Sequence, residues 1–145
     1  MATGIPPASE FTGLARKVIE YNARFEALVD KAKDGLTEAD WAPIEELVDT
    51  ENFERLGTFL GPSAETSSWT HYKALVSQYA GDTSWDGKLR RITETDSFVV
   101  QELQEYNSRE GTTDVSNTVT IFEFNEAQLI ERLEVYVMHL EDRPV

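Results

Sequence analysis

The stretch "RLEVYVMHLED", residues 132–142, is dense in β-branched and aromatic residues, yet it carries a carboxylate, Glu134, and an imidazole, His139. Residues two apart on a strand share a face. That rule sets Arg132, Glu134, Tyr136 and Met138 on one side and Leu133, Val135, Val137 and His139 on the other, so Glu134 and His139 cannot meet. The second face is apolar up to its last residue and reads as the wall of a core or cavity. The first alternates charge with bulk and reads as an outer face. A slipped register or a β-bulge would reverse the assignment.

Working outward, the preceding segments are strands too. "KLRRITET" (88–95) and "FVVQELQEYN" (98–107) flank Asp96-Ser97, and "NTVTIFEFN" (117–125) is joined to the closing strand by "EAQ". "SREGTTDVS" (108–116) reads as the longest loop between strands. The first half is helical. Phe11, Leu14, Ala15, Val18, Asn22, Phe25, Leu28, Val29 and Ala32 form one stripe over residues 9–34, with Ser9 as N-cap and Gly35 as stop. Tyr21 borders the stripe and Asn22 interrupts it. A second helix follows Thr37, with a break or restart expected at Pro43. "FERLGTFLGP" reads as a short extended segment leading into a turn. A third helix enters at "TSSW" with Trp69, Tyr72, Val76 and Tyr79 on one face and ends at Gly81. Helices followed by strands predict an α+β domain, helices on one face of an antiparallel sheet. The reading gives an N-terminal tail over 1–8 and a single domain over 9–142.

Composition narrows the function. Thirteen basic against 27 acidic residues leave a net charge of -14, which disfavours nucleic acid and anionic membranes. No cysteine is present, so disulfides, thiolate nucleophiles and thiolate metal sites are excluded. The start lacks the pattern of a signal peptide and no apolar run has the length of a membrane span, so a soluble cytoplasmic protein is expected. Two distant histidines give a histidine-based metal site little support, carboxylate-only sites stay open, and no cofactor fingerprint occurs.

The order of elements, the long first helix, Trp69 to Gly81, the hairpin "LRRITETDSFVVQELQEYN" and the closing "FEFNEAQLIERLEVYV" together resemble the nuclear transport factor 2-like superfamily, which includes SnoaL-like cyclases, limonene-epoxide hydrolase and ketosteroid isomerase. The resemblance implies a cystatin-like α+β fold. In it a curved, mostly antiparallel sheet and three N-terminal helices enclose a cone-shaped pocket for a small hydrophobic organic molecule, and homodimers are common. The Glu-Arg-x-Asp of limonene-epoxide hydrolases falls on Glu102, Leu103, Gln104 and Glu105, and their Trp-Arg-Asp on Leu133, Glu134 and Val135. Arg is therefore replaced by Leu103 and the last Asp by Val135. The SnoaL-like cyclases also place an acidic residue near that last position. The Tyr of ketosteroid isomerases has a loose counterpart in Tyr21.

Glu105 is the leading catalytic candidate, because it shares a strand face with Val99 and Leu103 and matches an acidic position of the family pattern. Its plainer reading is a charge at the end of a half-solvated strand. Glu102, on the opposite face, reads as solvated or as a dimer contact. Tyr21 is a second catalytic candidate, with Tyr21 or Asn22 polarising the substrate. Asn22, Phe25, Trp41, Phe53, Arg55, Trp69, Tyr72, Leu103, Leu133, Val135 and His139 are candidate pocket residues. Aromatic stripes at helical spacing usually form plain core, and only some of these are expected at a cavity. Arg55 reads as a surface or structural ion pair that could instead meet a ligand carboxylate or Glu105. His139 reads as a rim residue and His71 as exposed. Two functions follow: a ligand-binding, cofactor-independent acid/base enzyme, or a dimerisation and protein-interaction module whose cone its own side chains fill.

Overall fold

A computed structural model describes residues 4–59 and 63–140. The turn expected at Gly61-Pro62 and the residues from 141 onward lie outside them. Helix α1 (Gly13–Lys31) buries Leu14, Val18, Ile19, Tyr21, Asn22, Leu28 and Val29, so the polar pair Tyr21 and Asn22 faces inward with the apolar stripe. Ser9 is not its cap. Residues Ala8–Glu10 form a 3-10 turn, and Thr12 at the helix start makes no side-chain cap bond. Instead Glu94, from a strand far along the chain, accepts from the Ala15 amide at 2.6 Å. An orphan donor of the first turn is thus satisfied by a carboxylate at the positive end of the helix. A 3-10 turn, Ala32–Asp34, follows the helix and closes at Gly35, whose φ is 83°.

Helix α2 (Glu38–Glu45) starts where expected, with Asp40 Oδ2 accepting from the Thr37 amide at 2.8 Å. Pro43 lies inside it without ending it. Helix α3 (Trp69–Ala80) is capped by Ser68, whose Oγ accepts from the His71 amide at 3.2 Å.

Six strands form one open mixed sheet in the order β2-β1-β6-β5-β4-β3. They are β1 (Glu54–Gly57), β2 (Glu65–Ser67), β3 (Thr83–Glu94), β4 (Phe98–Arg109), β5 (Thr112–Phe124) and β6 (Ile130–His139). All pairs are antiparallel except β1 with β6. The structure differs from the sequence reading at four places here. Strand β3 begins at Thr83, five residues before Lys88, and β2 adds a short strand before the third helix. The expected loop at 108–116 is a tight hairpin instead, with only Glu110 and Gly111 between β4 and β5. The start of the supposed tail is anchored: Gly4 bridges Lys88, and its carbonyl accepts from the Leu89 amide at 3.0 Å.

A register shift between Glu123 and Phe124 lets both Ile130 and Leu133 of β6 face inward. Beyond it, the alternation predicted from the sequence holds. Arg132 pairs with Glu54, Glu123 and Glu134 on the outer face, where Tyr136 and Met138 are exposed. The core lies between the helices and the inner face, around Val18, Val29, Val76, Val99, Phe122 and Ile130.

Candidate functional site

The inner face of the sheet and the helices enclose a cavity of about 410 Å³. The strand register orders its wall from the closed end outward. Val99, Phe122, Leu133 and Arg55 form the deepest row; Gln101, Thr120 and Val135 come next, followed by Leu103, Thr118 and Val137. Glu105, Ser116 and His139 form the fourth row, and Asn107 and Asp114 the fifth. Burial follows the same order, from fully buried Val99 through Gln101 and Leu103 to half-buried Glu105 and exposed Arg109. The mouth therefore lies at the β4–β5 hairpin end. Alternation puts Leu103, Glu105, Leu133, Val135 and His139 on this wall, all expected there, while Glu102 faces outward and pairs with Arg91.

Glu105 is held on both oxygens. Trp85 Nε1 donates to Oε1 at 2.6 Å and the Thr118 hydroxyl donates to Oε2. An indole N–H can only donate, so this carboxylate has a fixed orientation and keeps free lone pairs for the cavity. Trp85, missed by the sequence reading, comes from the unforeseen first half of β3. Its signal was the alternation of Thr83, Trp85 and Gly87, obscured by Asp86-Gly87, a dipeptide that usually marks a turn.

Tyr21 lines the cavity, and its buried hydroxyl has the Tyr72 phenol as its polar neighbour. Burial, reinforced by the neighbouring Tyr72 phenol, holds its pKa well above the usual tyrosine value. It is a neutral donor at every physiological pH. Asn22 is different: its amide nitrogen donates to Gln101 Oε1 and its amide oxygen accepts from Gln101 Nε2 at 3.3 Å. That reciprocal pair ties α1 to β4, and Asn22, on the cavity wall, keeps one N–H and one oxygen lone pair.

Arg55 makes no ion pair among the described residues, contrary to the expected surface or structural pair, and is only 6% exposed. Its Nη2 donates to the Thr58 carbonyl at 3.2 Å, and the guanidinium lies 5.2 Å from the centroid of Phe59 and 5.4 Å from that of Tyr72. Its Nη1 is buried with no partner. Phe25 and Tyr72 also line the cavity. Trp41, Phe53 and Trp69 do not; they pack edge to face in the core beneath α2 and α3, with Trp41 and Phe53 each against Trp69. The Trp69 indole donates to Glu45 at 2.7 Å. Phe59 and Tyr79 take their place at the wall, the Tyr79 hydroxyl donating to Asn107. Burial and the nearby Glu105 charge raise the Tyr79 pKa.

At the mouth, His139 Nδ1 lies 3.2 Å from Asp114 Oδ2 and 3.3 Å from Ser116 Oγ. His71 is exposed on α3, outside the cavity. Among the described residues no group of His, Asp and Glu side chains is arranged to hold a metal ion, and no helix is long and apolar enough to cross a membrane.

No protein-family model matches the chain, and no curated protein does. Solved structures do match. A protein described as a SnoaL-like polyketide cyclase from Shewanella putrefaciens aligns over 94% of this chain and 91% of its own, with a TM-score of 0.63 at 12% identity. A Δ5-3-ketosteroid isomerase from Mycobacterium sp. aligns over 86% and 98%, at 0.61 and 12%. An LEH-like epoxide hydrolase from M. tuberculosis aligns over 82% and 83%, at 0.56 and 14%.

The chain has the nuclear transport factor 2-like fold.

At such identities the likeness carries the fold and leaves the reaction open. Val135, opposite Thr120, and Leu103 both lie on the cavity wall, so the two positions onto which the epoxide hydrolase motifs were laid are apolar here. Among the described residues, the carboxylates on the wall are Glu105 and, at the mouth, Asp114.

Proposed function

We propose that this protein binds a small organic molecule in its cone and carries out cofactor-independent acid/base chemistry on it, with Glu105 as the proton-transfer group and Tyr21 as the donor that polarises a substrate oxygen. The observation that carries the reading is the Glu105 carboxylate, fixed by Trp85 and Thr118 on the wall of a cavity of about 410 Å³. Apolar walls from Phe25, Phe59, Leu103, Val135 and Val137 suit a largely hydrophobic body. Isomerisation, dehydration, cyclisation and epoxide opening all fit one general acid/base and one oxygen-polarising donor.

The test is turnover of a panel that includes limonene oxide and a Δ5-3-ketosteroid. On any substrate found, Glu105→Gln lowers kcat by about 10²–10⁴-fold while the ligand still binds. Full turnover by the variant would end the catalytic assignment.

A second reading, homodimerisation and protein interaction, is favoured by the outer face, where Tyr136 and Met138 remain 56% and 59% exposed. The cavity of about 410 Å³ removes the filled-cone part of that reading, and its dimer part is compatible with a ligand site, because the outer face is the reverse side of the cavity wall.

A further inference from the structure

The cavity has a chemical asymmetry that the acid/base reading does not use. Its closed end holds a cation with an unsatisfied edge. Arg55 is buried, yet Nη1 has no hydrogen-bond partner, and no carboxylate among the described residues lies within ion-pair distance of it. Leaving a guanidinium edge dry and unpaired is costly unless something accepts from it.

Glu105 does not fill that role. Arg55 is level with Leu133, and Glu105 is level with His139, six residues further along β6. Glu105 is also already engaged with Trp85 and Thr118. Phe59 supports the guanidinium through its ring face, and the Tyr72 phenol lies close enough to interact with it, but neither carries a charge to balance it.

We infer that the ligand is an organic monoanion, a hydrophobic carboxylic acid whose carboxylate binds Arg55 at the closed end and whose apolar body extends past Leu103 and Val135 toward Glu105. A carboxylate matches the planar edge that Arg55 offers, and one negative charge balances one buried positive charge. A dianionic phosphate would bury a second charge with no partner. This inference rests on the cavity being a ligand site, as proposed above, and adds which end of the ligand enters first.

The probes are 2-naphthoate and its neutral amide, 2-naphthamide, titrated by calorimetry into the wild type, Arg55→Met and Arg55→Lys. The wild type is expected to bind the acid at least about tenfold more tightly than the amide. Arg55→Met is expected to abolish that preference, and Arg55→Lys to retain part of it. Equal binding of both probes to the wild type would overturn the inference while leaving the ligand site standing. A preference that survives in Arg55→Met would overturn it too, moving the anion to another cation such as Arg109. Binding of neither probe would remove the ligand-site reading together with the inference. Should the variants fail to fold, nitrogen-detected guanidinium spectra of the wild type decide the matter: the acid must shift one buried arginine signal that the amide leaves unmoved, and its absence counts against Arg55.

Discussion

Gly57 has a φ of 150°, and a Cβ built on it would lie 2.7 Å from the Val135 carbonyl oxygen. That contact is with backbone, so no rotamer change can relieve it. Gly57→Ala must push β1 away from β6 at the residue two after Arg55, and a loss of about 2 kcal/mol is expected in chemical denaturation. Gly81 is the internal control. It has ordinary helical dihedrals and nothing within 4 Å of an added Cβ, so Gly81→Ala should be neutral or stabilise by up to about 1 kcal/mol. Equal effects at the two sites would rule out close strand approach as the reason for Gly57. At this scale the sequence was informative where a period-two rule applied. Alternation alone puts Glu105 inward and Glu102 outward. It cannot say whether a buried arginine has a partner, because that depends on β1 running parallel to β6 and on α3 packing above it. From the sequence Arg55 therefore reads as a surface or structural ion pair, with a ligand carboxylate or Glu105 as the alternative partner. For the same reason Asn22 was legible as inward-facing but not as already paired to Gln101, 79 residues away.

The β4–β5 hairpin carries Glu105, Asn107, Asp114, Ser116 and Thr118, so its turn sets the mouth of the cavity. The turn is Glu110-Gly111, with φ of 51° and 80°. Two successive residues with positive φ suit a two-residue hairpin, whose twist matches the flanking strands. Glycine accepts that conformation freely, whereas glutamate is strained in it. Glu110→Asn is expected to raise stability by about 0.5–1 kcal/mol, visible as a higher melting temperature. A lower melting temperature would show that the Glu110 side chain contributes something its exposed position does not suggest. The run 108–116 reads as a loop because Val115 is its one large apolar residue, so no apolar alternation shows. Strand structure there is imposed by the pairing of β4 with β5, supported by β3 at Ser108 and Arg109, which overrides weak local preference. Long-range pairing also explains Thr83–Lys88, where a turn-like Asp-Gly dipeptide sits within a strand. The three helices, by contrast, announced themselves through an apolar stripe and local caps, with one exception. The cap of α1 comes from Glu94, and no local pattern could reveal an acceptor 79 residues distant.

For the molecule as a whole, the sheet has two faces with different tasks. The inner face is committed to the core and cavity, and the outer face joins the ion pairs of Arg132 to the exposed Tyr136 and Met138. A homodimer built on that outer face, as proposed, brings together two chains that each carry a net charge of -14. Long-range repulsion opposes the encounter, whereas the apolar contact between Tyr136 and Met138 of the two copies is indifferent to modest salt. Dimerisation should therefore strengthen as salt rises from about 20 mM to 300 mM, with the dissociation constant from sedimentation equilibrium falling severalfold. Tyr136→Glu, which adds charge to the middle of the patch, should shift the population toward monomer at either salt. The opposite salt trend would mean that Arg132 bridges the two copies through charge pairs, because attraction between unlike charges weakens on screening. A monomer at every salt would remove the outer face as an interface and leave the cavity as the feature of this fold on which a function rests.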